Sequence, residues 1–176
     1  LMNFVLMGKP GSGKSHLAQI LGDIYNNAGM LVQGGKLLEV SRSDLVGGFV
    51  GQTALLTKAV LVSAQERVLL IDEAYSITSS CGEDYGTECI DELTNHMTKS
   101  PGCQCIIAAG YKDKMQDGFL EANQGLARRF TYHVELKPYP ASKLYELLVS
   151  HVDETSSENI FTEDAEMFFI FVLCWV

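Results

Sequence analysis

The stretch "GKPGSGKS", residues 8–15, follows the almost wholly apolar run "LMNFVLM" at residues 1–7. Gly8, Gly13, Lys14 and Ser15 fit the spacing G-x-x-x-x-G-K-[ST], in which a strand turns through a glycine-rich loop into a helix. Gly11 and Gly13 can adopt backbone conformations closed to other residues and let the chain pass close to an anion, so that several N–H groups face inward. The positive end of the following helix adds to that field. The reading is a phosphate cradle running from Gly8 through Lys9, Pro10, Gly11, Ser12, Gly13, Lys14 and Ser15 to His16. In it Lys14 reaches the β- and γ-phosphates, and the Ser15 hydroxyl ligates Mg²⁺. The flanks agree: Asn3 to Met7 reads as a strand, and Leu17, Ile20, Leu21 and Ile24 recur at helical spacing up to Asn26, Asn27 and Gly29. A glycine turn that binds nothing does not need both flanks.

With 176 residues the chain is long enough for one large domain, or a domain and part of a second. Thirteen basic against 22 acidic side chains give a net charge of −9, which disfavours a broad surface for nucleic acid. Five cysteines (Cys81, Cys89, Cys103, Cys105 and Cys174) form an odd set without a secretory leader before them, the pattern of free thiols in a reducing, cytoplasmic setting. Cys103 and Cys105 would share one strand face, and no paired Cys or His cluster completes a zinc site. The final "MFFIFVLCWV" is apolar, yet a bilayer span needs about 20 residues, so no membrane partner is expected and a buried helix cut short is. A chain that opens inside a core strand and closes on an uncapped apolar run reads as a piece of a longer protein.

Beyond the first helix, "KLLEVS" (Lys36 to Ser41) reads as a second strand and "SDLVGGFVGQT" as a glycine-rich loop carrying Phe49. Thr53 is positioned to cap a helix whose Leu55, Leu56, Ala59, Val60 and Ser63 form a mixed apolar face. Val68 to Ile71 are consecutively apolar, as in a central strand buried on both faces, and Asp72 and Glu73 close it. A loop from Ser76 to Asp84, a helix with Ile90, Leu93 and Met97 on one side, a fourth strand "CQCIIAAGY", a short helix from near Asp113, "NQGLARRF" and a fifth strand "YHVEL" complete the pattern. Strands alternating with helices imply an α/β fold with a parallel five-stranded sheet between helices. Pro138 and Pro140 mark a boundary near residue 139. Residues 1–138 are therefore expected to form the α/β core and 139–176 the start of a helical lid.

At the C-terminal edge of such a sheet, Asp72 can hold the water shell of Mg²⁺ while Glu73 activates the attacking water. The cradle and this acidic pair together resemble the AAA+ ATPases. "SRSDLVGGFVGQTALLTKAVLVSAQERVLLIDEAYSI", "EDYGTECIDEL", "AAGYKDKM" and "NQGLARRF" resemble, more narrowly, the CbxX/CfqX branch, over about Leu1 to Leu148. The resemblance implies a P-loop NTPase that binds ATP with Mg²⁺, hydrolyses it, assembles into a homo-oligomeric ring, hexameric by expectation, and remodels a protein partner in a chaperone-like way. It implies that Glu73 is the catalytic glutamate, that Phe49 is the pore-loop aromatic gripping the substrate polypeptide, and that Arg129, with Arg128 as second candidate, is the arginine finger reaching a neighbour's nucleotide. A core aromatic is the alternative for Phe49, and a surface cation paired with a local acid the alternative for the arginines.

The chain departs from many AAA+ relatives at the end of the fourth strand, where Ala109, Gly110 and Tyr111 replace a polar sensor, and the sequence stops before an arginine-bearing second sensor is reached. Two other functions compete. A nucleotide-binding assembly scaffold with little hydrolysis needs neither Glu73 nor a finger. A small-molecule P-loop kinase needs lid arginines over the phosphates and is disfavoured by "DE" and "ARRF".

Overall fold

The computed structural model describes residues 3–31, 37–49, 51–78, 85–100, 104–140 and 142–147. The chain divides into two units, Leu1–Lys137 and Pro138–Val176. The first contains a five-stranded sheet, β1 (Phe4–Gly8), β2 (Leu38–Val40), β3 (Val68–Ile71), β4 (Cys105–Gly110) and β5 (Tyr132–Leu136), in the spatial order β2-β3-β4-β1-β5. Every neighbouring pair is parallel, with Val5 level with Ala108 and His133, and Ile71 level with Val40 and Ala108. All five strand ends therefore point to one edge, where the phosphate loop after β1 and the acidic pair after β3 meet.

Alternation along the strands splits the core in two, as a sheet covered on both faces requires. Val5, Met7, Leu69, Ile71, Ile106 and Ala108 face one helical layer, made by α2 (Arg42–Leu45), α3 (Gln52–Ser63), α4 (Tyr85–Lys99), the π-turn Met115–Leu120 and α6 (Gln124–Ala127). The turn follows a single helical turn, α5 (Lys112–Lys114), and its Phe119 meets Phe130 edge to face at 5.8 Å. Leu6, Val68, Leu70, Cys105, Ile107 and Ala109 face α1 (Lys14–Asn27). Burial pushes the Cys105 thiol up to about 12 and the Cys89 thiol up to about 11, so both are inert core groups. Asn3 ties the layers at the start of β1: its Oδ1 accepts from Ile106 N–H and its Nδ2 donates to the Arg129 carbonyl.

Two helices turn differently from the sequence expectation. In α1 the buried residues are Ala18, Gly22 and Tyr25, while Ile20 and Ile24 are exposed and Leu17 and Leu21 lie at the margin. Small Ala18 and Gly22 let the helix settle close to the sheet. A Cβ at Gly22 would already touch Val68. In α3 the buried stripe is Thr53, Thr57 and Leu61, with Leu55 and Leu56 outward. Thr53 is not the cap, because the helix starts after Gly51; its hydroxyl instead accepts from Gly47 N–H, and Thr57 Oγ1 donates to Leu45 O. Two threonines are tolerated in the core because both hydroxyls are bonded.

β2 is shorter than expected and β4 begins at Cys105; Lys36, Cys81, Cys103, Cys174 and the end of the loop before α4 lie outside the described residues. In the second unit, residues 142–147 are helical, with Pro140 O accepting from Lys143 and Leu144 N–H. Most of the expected lid lies outside the described residues. Among the described residues no helix is long and apolar enough to cross a membrane.

Candidate functional site

Where β1 ends, Gly8 is wedged: a Cβ there would lie 2.8 Å from the Leu136 carbonyl of the next strand and 2.5 Å from Ser12 Oγ. Gly11 and Gly13 are required for another reason. Both have open space around them but hold φ values of +71° and +88°, which only glycine adopts freely. The turn is closed by Ser12 N–H donating to Lys9 O, and Gly13 caps α1. Lys14 Nζ bends back to donate to Gly8 O and Lys9 O, at 3.0 Å each, and lies 5.8 Å from the centre of the Tyr111 ring. Ser12 Oγ is buried without a partner. An orphaned hydroxyl, a lysine resting on carbonyls of its own loop and a run of left-handed glycines make a cradle that suits a phosphate chain.

The loop forms one wall of a cavity of about 380 Å³. Pro10, Gly11, Gly13, Lys14, Ser15 and His16 line it on one side, and Asp72, Glu73, Tyr75, Gly110 and Tyr111 on the other. The structure thus brings the phosphate loop and the acidic pair to one hollow. Asp72 N–H donates to Val40 O, which holds the acidic pair in line with the sheet. Glu73 adopts φ +47° and ψ +44°, a left-handed conformation that strains a residue with a side chain by about 1–3 kcal/mol. Its amide donates to Asp72 Oδ1 at 2.9 Å, and Ala74–Ile77 then close a tight 3₁₀ turn.

Two tyrosines complete the far wall. Tyr75 is buried so tightly against β4 that a Cβ on Gly110 would fall 2.8 Å from its ring. Its ring lies 5.6 Å from Tyr111, and Lys114 Nζ stands 4.6 Å from the Tyr75 centroid. Burial first, then a hydrogen bond to the Glu73 side chain, pushes the Tyr75 phenol up to about 12, so it remains a neutral donor beside that carboxylate. "DEAY" carried this tyrosine in the sequence, but nothing in the pattern indicated that it faces the cavity.

The remaining sequence candidates stand outside the hollow. Phe49 is 71 % exposed, which excludes the core alternative for this side chain. Arg129 is half-buried and folded back onto its own chain, donating through Nη1 to Gly125 O and through Nη2 to Thr98 Oγ1. Arg128 is exposed; its backbone N–H donates to Gln124 O, and its side chain makes no hydrogen bond or ion pair with the described residues. Of the two arginines, the second candidate is thus the more available.

A parallel sheet carrying a glycine cradle and a strand-end acidic pair defines a P-loop nucleotide-binding protein. The model of the ATPase family associated with various cellular activities (AAA) matches residues 4–137, and the chain belongs to that family. Its relatives are of the CbxX/CfqX type. A protein called CfxQ homolog of Galdieria sulphuraria is 42% identical over 148 residues, covering 84% of this chain and 48% of that protein. The chloroplastic ribulose bisphosphate carboxylase/oxygenase activase of Cyanidioschyzon merolae is 40% identical over 164 residues, covering 93% and 55%. Stage V sporulation protein K of Bacillus subtilis is 35% identical over 153 residues, covering 87% and 47%. The chain spans about half the length of each of these three relatives. The FIGL-1 AAA domain, solved in complex with ADP, overlays 95% of this chain on 53% of its own at a TM-score of 0.63 and 19% identity, a likeness of fold.

Proposed function

We propose that this chain binds ATP in the cavity between residues 8–16 and Asp72–Glu73 and hydrolyses it as part of a homo-oligomeric ring, hexameric by expectation, that remodels a protein partner. The observation that carries the reading is the meeting of Lys14, Ser15, Asp72 and Glu73 in one hollow at the C-terminal sheet edge. Backbone amides of the glycine-rich loop and the start of α1 receive the phosphate oxygens, and Lys14 exchanges its two carbonyls for the β- and γ-phosphates. Ser15 and Asp72 present the oxygens that would hold Mg²⁺, directly and through its waters. When bound, the ion neutralises charge on the phosphates. Glu73 takes the proton of the attacking water.

The arginines supply what the pocket lacks. In this reading Arg129, or the more exposed Arg128, reaches the γ-phosphate bound by the adjacent copy, a role worth roughly 10³ to 10⁵ in rate in GTPases. Arg129 must then exchange its bonds to Gly125 and Thr98 for the neighbour's phosphate. Phe49, exposed on a loop before α3, is the group that grips the polypeptide.

Mixing variants tests the shared site. Arg129→Ala with Arg128→Ala binds ATP normally and turns it over poorly, and Lys14→Ala binds none. Combined, they recover activity, because an intact pocket of one meets an intact finger of the other, and turnover per chain rises with concentration. No recovery in mixtures that form oligomers contradicts a finger acting between copies.

A further inference from the structure

Glu73 carries a side chain at a positive φ, and such a conformation persists only where the surroundings over-determine it. Two of the restraints are local: Asp72 Oδ1 accepts from Glu73 N–H, and Glu73 O accepts from Ser76 N–H at 2.7 Å. The third comes from Arg42, 34 residues before Ser76 in the chain. Arg42 Nη1 donates to Ser76 O at 2.6 Å and to Ile77 O at 2.7 Å. These carbonyls end a one-turn helix, and a guanidinium meets them with charge-assisted bonds that its half-buried position protects from water.

Arg42 is itself held. Ser41 N–H donates to the Asp44 carboxylate at 2.8 Å in a capping box, and Leu45, at the other end of α2, is buried with its carbonyl bonded to Thr57. A second hollow of about 480 Å³ opens beside the same turn, lined by Ser41, Arg42, Ser43 and Ser76 and shared by Asp72 and Glu73. The glutamate therefore stands in the wall between two cavities, one lined by the phosphate loop and one lined by α2.

We propose that Arg42 is a positioning residue for the reaction: by clamping the carbonyls of Ser76 and Ile77 it fixes the turn that keeps Glu73 directed into the phosphate cavity. The inference rests on the reading of Glu73 as the base. It assigns a role to a residue outside the lining of the phosphate cavity, and it predicts an effect on turnover without one on binding.

The test uses Arg42→Met, which keeps the stem and removes the donors, with Arg42→Gln carrying the test should Arg42→Met not fold. The expected result is a fall in kcat of about 10- to 100-fold, the scale of a displacement of about 1 Å, with KM and ATP affinity within about twofold of the parent. Arg42→Lys returns a donor nitrogen to the same carbonyls and recovers most of the turnover. Independently of turnover, hydrogen exchange at the Ser76 and Thr78 amides, which bond to Glu73 O and Tyr75 O, speeds up about tenfold or more in Arg42→Met while the β3 amides keep their parent rates. Parent-like kcat or parent-like exchange at Ser76 and Thr78 overturns the proposal, as does a loss of ATP affinity in step with kcat. Glu73→Gln measured alongside separates the two failures: if it turns over at the parent rate, the base assignment falls, whereas an inactive Glu73→Gln beside an active Arg42→Met removes Arg42 alone.

Discussion

The phosphate loop and the Glu73 turn leave the same sheet edge, after β1 and β3 with β4 between them, yet they are held in opposite ways. The loop is shaped by its own eight residues: glycines take the positive φ values without strain, Ser12 closes on Lys9, and Lys14 rests on carbonyls it has just passed. The turn carries its positive φ on a glutamate and depends on Arg42 from α2, Val40 from β2 and Tyr75 wedged against Gly110. Charge-binding geometry can be written into a short contiguous segment. Aiming one carboxylate takes several elements.

The largest effect that would sharpen this contrast is at Lys14. Lys14→Ala removes the cradle's side-chain cation, and hydrogen bonds to charged groups are worth about 1.5–3 kcal/mol each. ATP binding should drop below calorimetric detection while the melting temperature stays near the parent's. Unchanged affinity would detach residues 8–15 from the nucleotide.

A smaller effect separates room from conformation within the loop. Gly8→Ala drives a Cβ against the Leu136 carbonyl, and overpacking of that kind costs about 1–3 kcal/mol. Gly11→Ala meets nothing within 4 Å and costs only its left-handed backbone, about 1–2 kcal/mol. At about 2–4 °C per kcal/mol for a domain of this size, thermal unfolding should rank Gly8→Ala as the less stable. The reverse order would mean that β1 and β5 part easily at this end.

The same contrast explains what the sequence made legible. The cradle, the acidic pair, the parallel sheet and the fifth strand were readable because each is a local pattern: fixed spacing, a run of four apolar residues, alternation of strand and helix. Phe49 was readable as a loop aromatic, and its exposure then removed one of two alternatives. Arg42 was not readable, because an arginine after a short strand has no signature of the carbonyls it will find 34 residues on. Tyr75 and Tyr111 stood in view without a sign of which way their rings turn. The helix faces misled for a physical reason. Burial in α1 follows the smallness of Ala18 and Gly22, and in α3 the bonding of Thr53 and Thr57, neither of which is hydrophobicity.

Glu73→Gln bears most directly on the claim that one cavity both binds and hydrolyses ATP. The amide keeps the shape of the side chain and loses the base, which contributes typically about 10²- to 10⁴-fold. Measured on one preparation, ATP affinity by calorimetry and turnover by phosphate release should part company: affinity equal to the parent's, turnover lower by that factor. Turnover at the parent rate would place the base elsewhere and contradict the account.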